Sequence, residues 1–92
     1  MSQDLPSVLR LRVITPRSLL ADLDVDEVTI PSLEGYLGVL PGHRPLFAAL
    51  GPGLVSYRTG DRGESFPVRG GYAEVGPELV VVFVELSEDA EA

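Results

Sequence analysis

PSLEGYLGVLPGHRPLFAAL, residues 31–50, is the stretch whose reading decides the fold. Two short apolar runs, Tyr36 to Leu40 and Leu46 to Leu50, flank the segment Pro41-Gly42-His43-Arg44-Pro45. Two prolines there cannot donate ladder N–H groups, so the segment is a loop and the runs on either side are separate strands. Pro41 and Pro45 fix φ at two points and Gly42 allows a reversal, so the backbone carrying His43 and Arg44 should be stiff. A stiff polar loop between buried strands suits recognition.

The same grammar of short apolar segments cut by glycine and proline extends in both directions. Toward the N-terminus, Leu9-Arg10-Leu11-Arg12-Val13 alternates with period two and reads as a strand with one apolar and one basic face. Pro16-Arg17-Ser18 is a turn. Leu19 to Asp26 then sends Leu23 and Val25 one way and Asp22, Asp24 and Asp26 the other, and Val28-Thr29-Ile30 continues this strand to Pro31. The spacing of the three aspartates resembles the opening of a calcium loop, but the places for glycine six and glutamate twelve hold Glu27 and Leu33. A solvated strand face is the better reading.

Toward the C-terminus, Gly51-Pro52-Gly53 is a turn and Leu54 to Thr59 a strand with Val55 and Tyr57 on one face. Gly60-Asp61-Arg62-Gly63 forms a hairpin tip. Glu64 to Arg69 returns with Phe66 and Val68 on one face, and Pro67 marks an edge or a bulge. Gly70-Gly71 permits a bend or a close backbone approach, followed by a short strand from Tyr72 to Val75. After the Gly76-Pro77-Glu78 turn, Leu79 to Glu85 is the most β-branched strand. Its apolar run, Leu79 to Val84, lacks alternation, so it should be covered on both faces, by the core and by something else, for which a partner would serve. The expected fold is all-β, an antiparallel β-sandwich of about eight to ten short strands. A flexible arm over residues 1–8 should precede the sandwich of residues 9–86, with an acidic tail over residues 87–92.

Composition narrows the function. A chain of 92 residues with 45% hydrophobic content makes one domain with a modest core. There is no cysteine, hence no disulfide or thiolate chemistry, and a single histidine. A nucleophile triad, a zinc site, a P-loop and a dinucleotide fingerprint all lack their required residues, so no catalytic, cofactor-binding or metal residue is assigned. Net charge of −7, with arginine as the only basic side chain besides His43, argues against a nucleic-acid partner. No secretory signal is visible, and the longest apolar run is far short of the roughly 20 residues that span a bilayer. A positive mean hydropathy of +0.20 for an acidic chain leans toward an interaction protein.

Read together, LRVITPRSLLADLDVDEVTIPSLEGYLGVLPGHRPLFAALGPG (residues 11–53) and VRGGYAEVGPELVVVF (68–83) resemble the N-terminal β-sandwich domain of the epsilon subunit of F-type ATP synthases. The EGYLGVLPGHRPL block is the specific part. The resemblance implies a non-catalytic central-stalk subunit of the rotor that binds the gamma subunit and rests on the loops of the c-ring, coupling proton (or sodium) translocation to ATP synthesis. It implies no cofactor, and membrane association only through the complex, at the cytoplasmic face of a bacterial inner membrane. By position, the resemblance implies that Ser32, Leu33, Glu34, Gly35 and Tyr36 face the c-ring, and that His43, Arg44 and Ala48 face gamma. Tyr36 stands where relatives are often acidic, so aromatic packing, or Glu34 alone, is expected to replace a charge pair. Relatives continue into a C-terminal helical pair that can restrain hydrolysis; ending at Ala92, this chain is expected to be a short form without that inhibitory arm. The competing reading is a free-standing β-sandwich that binds a ligand or peptide, for example by adding a strand beside Pro67.

Overall fold

The computed structural model describes residues 7–87. Most of the proposed acidic tail and most of the proposed N-terminal arm lie outside them. The chain forms eight strands: β1 Leu9–Ile14, β2 Leu19–Val25, β3 Glu27–Ser32, β4 Gly35–Val39, β5 Leu46–Leu50, β6 Gly53–Thr59, β7 Arg62–Val75 and β8 Leu79–Leu86. No helix occurs among the described residues, and none is long and apolar enough to cross a membrane.

The strands follow the order β2-β1-β8-β7-β5-β3-β4, and β6 pairs with both β3 and β7. The all-β expectation holds, with one pair departing from antiparallel: β1 runs parallel to β8, from Arg10↔Leu79 to Ile14↔Phe83. A parallel neighbour needs a long crossover, and here the whole intervening chain supplies it.

β7 joins the two layers. The sequence suggests two strands, 64–69 and 72–75, but the structure has one strand of 14 residues. Its first half pairs with β6, from Gly53↔Val68 to Thr59↔Arg62. Its second half lies between β5 and β8, through Ala48↔Ala73 and Ala73↔Val82. Between the halves the β7–β8 register shifts at Val68/Gly70, the bulge anticipated beside Pro67. Glycine does not end the strand there, because it lets the backbone bend without leaving the ladder.

Gly71 has φ of 146°, and a Cβ on it would lie 1.9 Å from the Phe83 carbonyl oxygen. The close approach expected of this glycine pair is real. Pro67 is not on an open edge: it faces Leu54 of β6, and its carbonyl accepts the Ser87 N–H at 3.0 Å. A peptide therefore has no free strand to join beside Pro67, which removes that version of the competing reading.

The run expected as one strand from Leu19 to Pro31 is two strands serving different layers, β2 beside β1 and β3 beside β4, β5 and β6. The break falls at Asp26. Its N–H donates to the Arg58 carbonyl at 2.8 Å and its carboxylate accepts the Gly60 N–H at 2.7 Å, so the third aspartate of the run anchors the β6–β7 turn. That turn is tighter than expected, with Arg62 already paired to Thr59 and Gly60 at φ of 62°.

Sixteen hydrophobic residues form the core, ten of them valine, with no buried polar or charged residue among those described. β-branched side chains stack well across facing pleats, and each fully buried Val, Leu or Ile contributes about 1.5–3 kcal/mol. In β8, Val80, Val82 and Val84 point inward while Leu79, Val81 and Phe83 point outward. The run without sequence alternation thus alternates in burial.

Gly71→Ala should destabilise the domain by about 3 kcal/mol or more, because a backbone carbonyl must move. Gly60→Ala, which meets nothing within 4 Å but keeps a positive φ, should cost about 1–2 kcal/mol. Urea unfolding of the two variants checks the order; equal losses would show that the strand crossing is not the tight point.

Candidate interaction surface

The turn between β3 and β4 carries Ser32, Leu33, Glu34 and Gly35, and Tyr36 follows in β4. The Ser32 hydroxyl donates to the Gly35 carbonyl and accepts the Glu34 N–H at 3.2 Å. The Leu33 N–H donates to the Ala49 carbonyl at 3.0 Å, which ties this tip to β5. Leu33 is 70% exposed and Glu34 is exposed beside it, so the tip offers one apolar side chain and one carboxylate to solvent.

His43 and Arg44 lie in the loop after β4. The Gly42 N–H donates to the Pro77 carbonyl at 2.8 Å and the His43 N–H to the Leu40 carbonyl at 3.1 Å, which gives the loop the stiffness its prolines imply. His43 Nδ1 is 2.7 Å from the Arg44 carbonyl oxygen. A carbonyl can only accept, so Nδ1 carries the proton. No group of three or more His, Asp or Glu side chains among the described residues is arranged to hold a metal ion.

Ala48 is only 8% exposed, with its methyl group in the core. It nevertheless lines, with Ser32, Leu33 and Glu34, a shallow groove of about 350 Å³ between the tip and β5. The tip residues and Ala48 therefore share one wall, while His43 and Arg44 lie beyond the far end of β4.

A larger surface escaped the sequence reading. On the outer face of the layer β5-β7-β8-β1, the register aligns Ala49, Tyr72, Phe83 and Ile14 in one apolar row. The Tyr72 and Phe83 rings stack with centroids 4.8 Å apart, and Phe47 packs on Tyr72 at 5.2 Å. Phe47 is 64% exposed and Tyr72 42%. The row continues into an open groove of about 580 Å³ lined by Ile14, Pro16, Gly71, Tyr72, Phe83 and Glu85. The signal was the unbroken run Leu79 to Val84, whose outer half needs cover. Its location required the register, which no local pattern reports.

Charge borders the row on the β1–β2 side. Arg10 reaches Asp22 at 2.8 Å and Asp24 at 3.3 Å, and Arg12 reaches Asp22 at 3.2 Å. The hydrogen bond from Arg10, with a smaller contribution from Arg12, holds the Asp22 carboxyl below its ordinary range. Because β2 ends the strand order, these carboxylates also place charge on an open edge, where it opposes pairing with another chain.

The fold and its exposed aromatic row define a small β-sandwich domain with an open apolar face. Residues 8–90 match the family model described as the β-sandwich domain of the ATP synthase Delta/Epsilon chain, and the chain belongs to that family. It is 42% identical over 87 residues to the ATP synthase epsilon chain of Solibacter usitatus, covering 95% of this chain and 65% of that protein. It is also 42% identical over 82 residues to the epsilon chain of Alkalihalophilus pseudofirmus, covering 89% of this chain and 62% of that protein. The chain thus spans slightly less than two thirds of the length of these relatives.

Among solved structures, a chain in the cryo-EM structure of the Euglena gracilis mitochondrial ATP synthase OSCP/F1/c-ring assembly superposes with a TM-score of 0.83 at 24% identity, over 91% of this chain and 54% of that one. A chain of the Tetrahymena thermophila mitochondrial ATP synthase central stalk and c-ring gives 0.71 at 18% identity, over 90% and 66%. At these identities the likeness is one of fold.

Asp22 supplies a pH test. A carboxyl whose folded pKa is lowered stabilises the fold above its unfolded pKa of about 3.9, and that contribution disappears as pH falls through the folded value. Asp22→Asn should therefore unfold at lower urea than the wild type at pH 7, with the gap closing below about pH 4. A gap of the same size at pH 7 and pH 3 would contradict the Arg10–Asp22 assignment.

Proposed function

We propose that this domain is a rotor element of an F-type ATP synthase central stalk, docking on the gamma subunit and resting on the c-ring loops. It makes and breaks no bond itself. Its task is to transmit position and torque between the ring and the shaft, coupling proton or sodium translocation to ATP synthesis. It would lie at the cytoplasmic face of a bacterial inner membrane, held there by its partners.

The observation that carries this reading is the exposed row Ala49, Tyr72, Phe83 and Ile14 with Phe47 beside it, on a chain that belongs to the ATP synthase Delta/Epsilon family. Monomeric domains rarely leave stacked aromatics open to water, and such residues dominate the energetics of protein interfaces. In this reading the row, bordered by the His43–Arg44 loop, receives gamma, and the tip from Ser32 to Tyr36 meets the ring.

A sandwich suits mechanical work because ladder hydrogen bonds and a close-packed core resist shear together. The β7 crossing adds a covalent link between the layers. A load applied at the tip reaches the aromatic face through β3, β6 and β7 as well as through the Leu33–Ala49 contact with β5.

Binding to purified gamma separates the parts. Tyr72→Arg should weaken affinity by about tenfold or more while thermal unfolding of the isolated domain moves little, since a half-exposed ring contributes little to the core. Glu34→Arg should leave gamma binding intact and weaken association with rotors that include the ring. His43→Ala should lower gamma affinity without lowering the melting temperature; an equal loss of both would make His43 a loop-holding residue. Failure of the wild-type chain to bind gamma at micromolar concentration would overturn the proposal.

A further inference from the structure

On the edge of β3 opposite β4, the tip is fastened by backbone hydrogen bonds to β5 and the residue after it: Leu33 N–H to the Ala49 carbonyl at 3.0 Å and Gly51 N–H to the Pro31 carbonyl at 2.9 Å. Further along this same edge of β3 the strands part. The β3–β6 ladder runs from Glu27↔Arg58 to Thr29↔Ser56 and stops there, and Pro31, two residues on, has no N–H to offer. At this opening stands Tyr36, the cross-strand partner of Pro31 in the β3–β4 ladder.

The Tyr36 hydroxyl accepts the Leu54 N–H at 3.0 Å, joining β4 to β6 across 18 residues of sequence. Room for the phenol is made by Gly53. A Cβ at that position would lie 2.6 Å from the Tyr36 oxygen and 2.8 Å from the Pro31 Cβ. Tyr36 is 61% exposed, so burial alone does not fix its ring; the hydroxyl bond does.

We infer that Tyr36 is a positioning residue, a clip that reaches from β4 across β3 to β6 and holds the Ser32–Gly35 tip in place before any partner arrives. The tip is then fastened at two points, to β5 through Leu33 and to β6 through Tyr36. Leu33 and Glu34 are presented in a fixed relation, so a partner meeting them does not have to order the loop. Tyr36 acts through the tip residues rather than as the charged contact itself. Only the identity of that partner, the c-ring loops, rests on the central-stalk reading; the clip stands on hydrogen bonds within this chain.

Tyr36→Phe keeps the ring and removes the acceptor, and amide hydrogen exchange on the isolated full chain reads the effect without any partner. Exchange at Leu54, Leu33 and Glu34 should rise together by about fivefold or more, while the core amide of Val82 and the melting temperature stay near wild type. Gly53→Ala, which drives a methyl group into the hydroxyl, should open the same three amides. Unchanged exchange, a rise at Leu54 alone, or an equal rise at Val82 would each overturn the clip. In rotors that bind the wild-type chain, Tyr36→Phe should weaken association through the ring while gamma binding is unchanged; unchanged association would overturn the positioning role. Loss of the wild-type chain's own rotor binding would instead count against the central-stalk reading.

Discussion

One constraint organises this domain: β7 must belong to both layers at once. A strand can do so only by bending without losing its ladders, and the bend brings its backbone against the Phe83 carbonyl where no Cβ fits. Gly71 meets that requirement, and the bulge between Val68 and Gly70 re-aims the chain from β6 toward β5 and β8. The valine-rich core then fills the space between layers whose relative position the crossing has already set. A sandwich closed only by side-chain packing could slide; one threaded by a shared strand slides only by breaking ladder hydrogen bonds.

The surfaces follow from the same crossing. Because the second half of β7 lies between β5 and β8, Tyr72 is placed next to both Phe47 and Phe83, and three aromatics from distant parts of the chain become one patch. Because the first half carries β6, Leu54 comes within reach of Tyr36 and the tip acquires its second fastening. Rigid presentation of two separate surfaces is what a non-catalytic element between a shaft and a ring would require. A domain with its partners' contacts on mobile loops would lose torque to bending, whereas both regions proposed for contact here are tied back to strands.

Much of the fold was legible because alternation and punctuation are local signals. Leu9 to Val13, Leu46 to Leu50 and Leu54 to Thr59 announced their strands, and the loop from Pro41 to Pro45 announced itself. The misreadings share a cause: junctions were judged from residue type where tertiary pairing decides. The Gly70-Gly71 pair reads as a break but works as a hinge within one strand. The run through Asp26 reads as continuous but divides, since a side chain recruited by Gly60 turns the backbone there.

The surfaces proposed here for partners were visible in the sequence only in part. The block EGYLGVLPGHRPL pointed to the tip and the loop because its spacing is characteristic. Ala48, assigned to a partner by position, turns its methyl group inward, and its exposed neighbours Phe47 and Ala49 lie on the outer face. The stacked row was invisible because Tyr72, Phe83 and Ile14 meet only through the β7–β8 and β8–β1 registers. Nor could any sequence pattern show that Tyr36 reaches Leu54.

The central claim, that one rigid sandwich presents an aromatic face to the shaft and a clamped tip to the ring, is tested most directly by hydrogen exchange on the chain free and bound in a gamma–c-ring rotor. Added protection should concentrate in two patches, Phe47–Ala49 with Tyr72 and Phe83, and Leu33–Glu34. Protection confined to the edges of β2 or β4, or absent from both patches in a complex that forms, would contradict it.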